Sequence, residues 1–274
     1  MDSATLPSDV TQWFSAFQRQ IRFYFRTMRF VGLLGFVTLV SVAATAVAIV
    51  YGSSATSASD YLYGILGNLP TFGIIVGAFI GGDAIAMDSG GTGYFTLVLP
   101  VRRLVLLLGR YAAAFLVSFV LLLVFYAFSI FGAAWLFGAG SIPWADVGVS
   151  VGFAALFALA TLATAFLFSA FFRSPAVSMV VTILVLFLAF LFIDGLLVLT
   201  TVEPWFSLLY AGEIMALVFE GQPHLTSTTL NGPRHLTITT YHPFLWEGAV
   251  ILLVYLVVSL VLSAVLFQYR ELKG

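Results

Sequence analysis

The sequence predicts an all-α polytopic membrane protein with six transmembrane helices. Of its 274 residues, 61% are hydrophobic and 8% are charged, and the mean hydropathy is +1.10. Soluble domains carry about 25% charged residues, so a surface made from this composition would not stay hydrated. Two further observations support the prediction. The chain contains six apolar blocks of membrane-spanning length, and its basic residues gather on one side of them.

The six apolar blocks define the predicted spans. Crossing about 30 Å of hydrocarbon at about 1.5 Å per residue requires roughly 20 apolar residues. The blocks that meet this length, numbered as spans one to six, are Phe30–Tyr51, Tyr61–Ala86, Leu104–Phe137, Val147–Phe172, Ala176–Thr201 and Phe244–Phe267. The third is unusually long, which predicts a tilted helix or one that extends beyond the bilayer. Residues 30–274 are therefore expected to form one transmembrane domain after an N-terminal part, 1–29.

Basic residues set the expected orientation. With six crossings, ten of the eleven basic residues fall on one side of the membrane, and Arg234 alone falls on the other. Lys and Arg concentrate in cytoplasmic segments of membrane proteins. The pattern predicts a multi-pass protein of the plasma membrane with both termini cytoplasmic.

The segment before span one has the pattern of an amphipathic interfacial helix. One helical face collects Val10, Trp13, Phe14, Phe17, Ile21, Tyr24 and Met28, and the other collects Arg19, Arg22, Arg26 and Arg29. Such a helix lies in the headgroup plane, with its guanidinium groups toward anionic lipid or a cytoplasmic partner. Two interpretations remain open: a plain membrane anchor, or an anchor that also contacts a partner.

A polar segment, residues 81–110, separates spans two and three on the expected cytoplasmic side. Asp83 and Asp88 lie at or beyond the end of span two. Gly90-Gly91 suits backbone angles that a bulky residue could not adopt, and Thr92 suits the N-cap of a short amphipathic segment, Gly93–Leu99. Pro100 suits the first turn of the next helix, with Arg102 and Arg103 at headgroup level. The pattern predicts a short pair of helices exposed to the cytosol. An ordinary polar loop is the alternative.

The order of Asp88, Gly91-Thr92, Pro100, Arg103 and Gly109-Arg110 resembles the cytoplasmic segment of ABC-2-type ABC transporter permeases. The layout of nearly the whole chain is similar too, with an amphipathic N-terminal helix, six spans and an external helical segment before the last span. One departure is the sequence Ala-Met-Asp-Ser-Gly, where the family usually has a run of Glu and Arg.

The resemblance implies a cytoplasmic coupling helix that docks on a separate ABC ATPase subunit, present in two copies, and a second permease copy or a homologous permease. The residues implied in this ATPase coupling are Asp83, Asp88, Gly91, Thr92, Pro100, Arg102 and Arg103. The expected function is that of a permease subunit of an exporter.

The sequence contains no phosphate-binding loop of the G-x-x-x-x-G-K-[ST] type, because its only lysine is Lys273. No cofactor is therefore expected in this chain, and the resemblance assigns ATP and Mg to the partner ATPase. No catalytic constellation is recognisable, so we expect a transport subunit and not an enzyme, with no nucleic-acid partner. The alternative is a secondary, ion-coupled transporter or a channel that works without an ATPase. It is disfavoured because the spans lack a ladder of buried charges and matching Gly/Pro breaks.

Span two carries Gly73, Gly77 and Gly81 at four-residue spacing, which lets another helix backbone approach closely. The stripe predicts static packing within one subunit, in preference to a moving seam or a dimer contact. Pro70 is expected to kink the same helix.

The external segment, 202–243, is expected to begin with a re-entrant or surface-lying helix and to continue as a loop. Four acidic residues are assigned to this outer face: Asp194, Glu213, Glu220 and Glu247. His224, His235 and His242 are irregularly spaced, so no metal site is expected.

Overall fold

Six helices of membrane-spanning length dominate the computed structural model, which describes residues 8–50, 55–89, 102–200, 202–219, 225–230 and 236–269. The prediction of a helical, polytopic membrane protein is confirmed. The six helices long and apolar enough to cross a membrane are Arg29–Val50, Ala58–Gly81, Arg103–Phe137, Trp144–Phe171, Pro175–Leu197 and Leu245–Tyr269. They follow the six predicted blocks within a few residues at most boundaries, because long apolar runs are the strongest signal in such a sequence.

Two of the spans are irregular. Span two consists of the helices Ala58–Leu66 and Leu69–Gly81, which are separated at Gly67 and Asn68 just before Pro70. Proline fits the first turn of a new helix but has no N–H for the middle of one. Span five contains a π-helical stretch, Leu184–Ala189, between Pro175–Ile183 and Phe190–Thr200. Short 3-10 turns occur at Ala86–Ser89 and Ala139–Ser141.

Span three has 35 residues, which corresponds to a length of about 52 Å and exceeds the hydrocarbon thickness. The N-terminal helix, Asp9–Arg26, packs along its first turns. We call the end of the bundle that contains Arg29, Gly81 and Arg103 the basal end. The opposite end, with Val50, Phe137 and Trp144, is the distal end.

The spans form an inner and an outer set. In the most apolar stretch of each span, the share of residues that are buried is 56%, 44% and 56% for spans two, three and four. It is only 17%, 17% and 22% for spans one, five and six. Apolar surface of this extent is costly in water and neutral in lipid. The outer spans therefore present most of their surface to lipid or to another membrane helix.

The glycine stripe of span two packs on span four of the same chain. A Cβ added at Gly73 would lie 2.6 Å from Phe157 Cε1, and one at Gly77 would lie 2.6 Å from Thr161 Cγ2. At Gly81 the nearest atom would be Ala165 Cβ, at 2.9 Å. The stripe is thus occupied by an in-chain contact, which leaves no room there for a helix of a second subunit.

The external segment combines helix and strand. Its first part forms two short helices, Leu208–Gly212 and Ile214–Leu217, whose residues are nearly all buried among the spans. The expectation of a loop in the second part is wrong for the antiparallel hairpin of β1, Leu225–Leu230, and β2, Leu236–Tyr241. Both strands are rich in threonine, a β-branched residue that favours extended backbone. Within the described residues, the predicted all-α fold therefore has an exception, which is this β-hairpin.

Candidate functional site: the basal corner

The best-built polar site lies where the chain leaves span two at the basal end. We call it the basal corner and define it by Tyr24, Arg29, Asp83, Arg110 and Ser169. The backbone from Gly82 to Ala86 runs through it, and the residues of that stretch are buried. The sequence placed these residues at the end of predicted span two, and the structure buries them just beyond that span, which ends at Gly81. The neighbours of the corner include spans four and five: Ser169 bonds the amides of Ile85 and Ala86, and a Cβ at Gly82 would lie 3.0 Å from Met179 Cα.

An ion pair joins the start of span one to the segment that follows span two. Arg29, the first residue of span one, donates to Asp83 Oδ2. The Asp83 side chain is 1% exposed and the Arg29 side chain 32% exposed. Burial raises the pKa of Asp83 above its usual range, and the charge of Arg29 opposes that shift. Because Asp83 faces the interior, it positions the segment and does not present a docking surface itself.

Side chains of spans three and four hold the backbone after Asp83. Arg110 Nη1 donates to the carbonyl of Ala84 at 3.0 Å, and Arg110 is itself buried. Ser169 Oγ accepts from the amides of Ile85 and Ala86 at 2.8 and 3.0 Å. Buried backbone groups without partners would be costly. These bonds therefore make a non-helical path through the corner stable.

The N-terminal helix is part of the same corner. Tyr24 is fully buried, and its hydroxyl donates to the carbonyl of Ile80 at 3.0 Å. Burial raises the pKa of the Tyr24 phenol. A Cβ at Gly109 would lie 2.7 Å from the carbonyl oxygen of Trp13 and 2.9 Å from Ala16 Cβ, so the two helices are in backbone contact. This helix therefore has a protein-facing side in addition to its apolar and basic sides.

The residues predicted for the interfacial helix differ in their environments. Trp13 and Phe17 are half-buried and stack with their ring centroids 5.5 Å apart. Arg19, Arg22 and Arg26 are exposed. Arg29 departs from the predicted basic face, because it belongs to span one, pairs with Asp83 and lies 5.3 Å from the Phe23 ring.

The start of span three is anchored on both sides. The Arg102 amide donates to Gln12 Oε1 at 3.2 Å, and its guanidinium lies 2.7 Å from Asp9 Oδ2. Arg103 Nη1 donates to the carbonyls of Phe267 and Gln268, at 3.4 and 3.0 Å, near the end of span six. The polar segment is thus fixed before residue 89 and again from residue 102.

The middle of the polar segment contains several of the residues that carry the resemblance. Gly91, Thr92 and Pro100 lie outside the described residues, as does the side chain of Asp88. The structure therefore brings together the anchors of the segment: Asp83 with Arg29, and Arg102 and Arg103 with the N-terminal helix and span six.

The predicted acidic residues of the outer face lie at the distal end. Asp194 Oδ2 accepts from the Ser207 hydroxyl at 2.7 Å, and Glu213 Oε2 lies 3.2 Å from His242 Nδ1. Asp194 and Glu213 line a cavity of about 230 Å³. Glu247 Oε2 accepts from the Phe244 amide at 3.3 Å, and Glu220 lies outside the described residues. Within the described part of the chain, no group of three or more His, Asp or Glu side chains is arranged to hold a metal ion.

Sequence reasoning missed several residues that build these sites. Ser169 holds two amides at the basal corner. Ser150 donates to the carbonyl of Met215 and bonds Tyr126 Oη at 2.6 Å, which ties the external helices to spans three and four. Isolated serines in apolar spans give no signal of their partners. Tyr24 was assigned to the apolar face, and its hydroxyl was the only sign in the sequence of a buried hydrogen bond.

No protein-family model matches the sequence, and no curated protein matches it.

Proposed function

We propose that this chain is the membrane-spanning permease subunit of an ABC-2-type ATP-binding-cassette transporter, an exporter driven by a separate ATPase subunit. In the assembly, two ATPase subunits work with two permeases, which are two copies of this chain or this chain and a relative. ATP and Mg are bound by the ATPase. The protein lies in the plasma membrane, and both termini and the basal corner face the cytoplasm.

The observation that carries the proposal is the anchoring of the polar segment. Residues 82–86 are buried and held by Arg29, Arg110 and Ser169, and Arg102 and Arg103 are held by further bonds. A segment fixed at both ends transmits a force applied to its middle. That middle contains Gly91, Thr92 and Pro100, the residues that resemble the family's coupling segment.

The contacts also suggest how the force would travel. Asp83 connects the segment to span one through Arg29, and Tyr24 connects the N-terminal helix to span two. Arg110 and Ser169 connect the polar segment to spans three and four. A displacement of the segment by ATP-driven closure of the ATPases would move these four spans and the N-terminal helix together. The pathway between subunits would change as a result.

Mild-detergent purification of the tagged, full-length chain from its native host tests the proposal. We expect an ATP-binding polypeptide to co-purify with it. Replacing Gly91 and Thr92 together with bulky residues should abolish that recovery. The matched replacement of Gly148 and Gly152 near the distal end, where an added Cβ has no neighbour within 4 Å, should not. Recovery of a folded chain with no ATP-binding subunit would contradict the proposal. Transport by this chain alone in vesicles would instead support the secondary carrier or channel.

A further inference from the structure

A basic groove runs along one side of the N-terminal helix. It is an open groove of about 480 Å³, lined by Ser15, Gln18, Arg19, Arg22, Phe23 and Arg26. The three arginines follow a spacing of three and four residues, which places them on one helical strip. All three therefore line the same groove.

The charge of this groove is not compensated within the described structure. Arg29 pairs with Asp83 and Arg102 pairs with Asp9. By contrast, Arg19, Arg22 and Arg26 have no ion pair with any described carboxylate, and all three are exposed. Three positive charges around one groove repel each other unless an anion occupies it. An anionic occupant is therefore the complementary one.

The neighbouring side of the helix indicates what that occupant is. Val10, Phe14, Phe25 and Met28 are 76%, 51%, 50% and 67% exposed, so the described chain leaves this apolar strip uncovered. The helix leads through Thr27 and Met28 directly into span one. A helix with an uncovered apolar strip and an arginine-rich strip, joined to a transmembrane span, lies at the membrane surface. Its basic groove is then at the depth of the lipid phosphates.

We propose that the groove binds the phosphate headgroup of an anionic phospholipid. Guanidinium groups form paired N–H bonds with phosphate oxygens, and Ser15 and Gln18 add neutral donors. A protein partner fits less well, because it would leave the adjoining apolar strip uncovered. This proposal does not depend on the proposed transport function, since it concerns the lipid beside this helix and not the ATPase.

The chain offers a natural reporter for the test. Trp13 lies on this helix, and replacing Trp135, Trp144, Trp205 and Trp246 with Phe leaves it as the only tryptophan. The full-length variant is reconstituted in vesicles that contain brominated phosphatidylglycerol or brominated phosphatidylcholine, and quenching of Trp13 gives the relative affinity of the two lipids. Each basic residue near an anionic surface contributes about fivefold, so three contribute on the order of 100-fold at low salt.

We expect phosphatidylglycerol to be preferred, and the preference to fall at least tenfold in the triple variant Arg19→Gln, Arg22→Gln, Arg26→Gln. Arg173→Gln is the control, because Arg173 is also exposed and basic but lies between spans four and five. It should leave the preference unchanged. Because the substituted side chains are exposed, the triple variant should unfold at nearly the same temperature. If it does not fold, Arg22→Gln alone should lower the preference about fivefold.

Four results would overturn the proposal. The first is equal affinity of the unmodified groove for the two lipids, and the second is an undiminished lipid preference in the triple variant. The third is a loss of the lipid preference in Arg173→Gln as large as that in the triple variant. The fourth is loss of the preference when inorganic phosphate is added at constant ionic strength. The last would identify a soluble anion as the occupant. Equal lipid affinities together with loss of a co-purifying protein in the triple variant would identify a protein partner.

Discussion

The basal corner and the distal end use polar groups in different ways. At the basal corner, the side chains of Tyr24, Arg110 and Ser169 bond backbone atoms of residues 80–86, from 26 to 84 positions away in the sequence. At the distal end, Ser150 holds the Met215 carbonyl in the same way, but Asp194 bonds Ser207 and Glu203 bonds Tyr210 side chain to side chain, over 13 and 7 positions. The last two pairs lie beside a cavity of about 230 Å³. Side-chain pairs exchange partners more easily than bonds that hold a buried backbone. The basal corner is therefore the stiff part, and the distal end has room to rearrange.

The largest stability change is expected from Asp83→Ala. Removing one partner of a buried ion pair costs about 3–5 kcal/mol, and we expect about 2–4 kcal/mol because Arg29 is one-third exposed and keeps access to water. Thermal unfolding in detergent, followed by intrinsic fluorescence, measures the change. The double variant Arg29→Met, Asp83→Leu should be less destabilised than Asp83→Ala. If the two are equally unstable, the ion pair is not what holds the corner together.

Displacing the N-terminal helix should have the next largest effect. In Gly109→Leu the new side chain meets the Trp13 carbonyl and Ala16, and we expect a loss of about 1–3 kcal/mol. Gly152→Leu is the control, since a Cβ there has no neighbour within 4 Å. The chain has no cysteine, so Ala16→Cys, at a position that is 7% exposed, reports displacement by maleimide labelling. Labelling should be fast with Gly109→Leu and slow with Gly152→Leu; equal rates would show that the helix is not held at Gly109.

A smaller effect is expected at the distal end from Ser150→Ala. The substitution leaves the buried Tyr126 hydroxyl and the Met215 carbonyl without this partner, at a cost of about 1–2 kcal/mol. Hydrogen exchange should rise in residues 208–217 and stay unchanged around residues 82–86. Ser141→Ala, at an exposed serine, serves as the control. An equal rise in exchange at the basal corner would show that the two regions are not independent.

The smallest effect is expected from Asp9→Asn. The Asp9–Arg102 pair is at the basal end too, but its side chains are 51% and 75% exposed, and such pairs contribute about 0–1 kcal/mol. The unfolding temperature should change little, and less at high salt. A loss as large as that of Asp83→Ala would mean that exposure does not distinguish the two ion pairs.

The sequence predicted the spans well and the sites only in part. Apolar run length determined all six spans, and Pro70 marked the break in span two. The stripe of Gly73, Gly77 and Gly81 indicated a close helix contact, although its partner on span four emerges only from the packing. The burial of Asp83 was not predictable, because its ion-pair partner Arg29 is 54 positions away in the sequence. The hairpin was missed because short threonine-rich runs resemble polar loops.

Site-specific photo-crosslinking tests the central claim most directly. A photoreactive amino acid replaces Thr92, within the segment held by the basal corner, or Trp135, an exposed residue near the distal end of span three. On irradiation in native membranes, we expect an adduct with an ATP-binding polypeptide from position 92 and none from position 135. A folded, membrane-inserted protein that gives no such adduct from position 92, or equal adducts from both positions, would contradict the account.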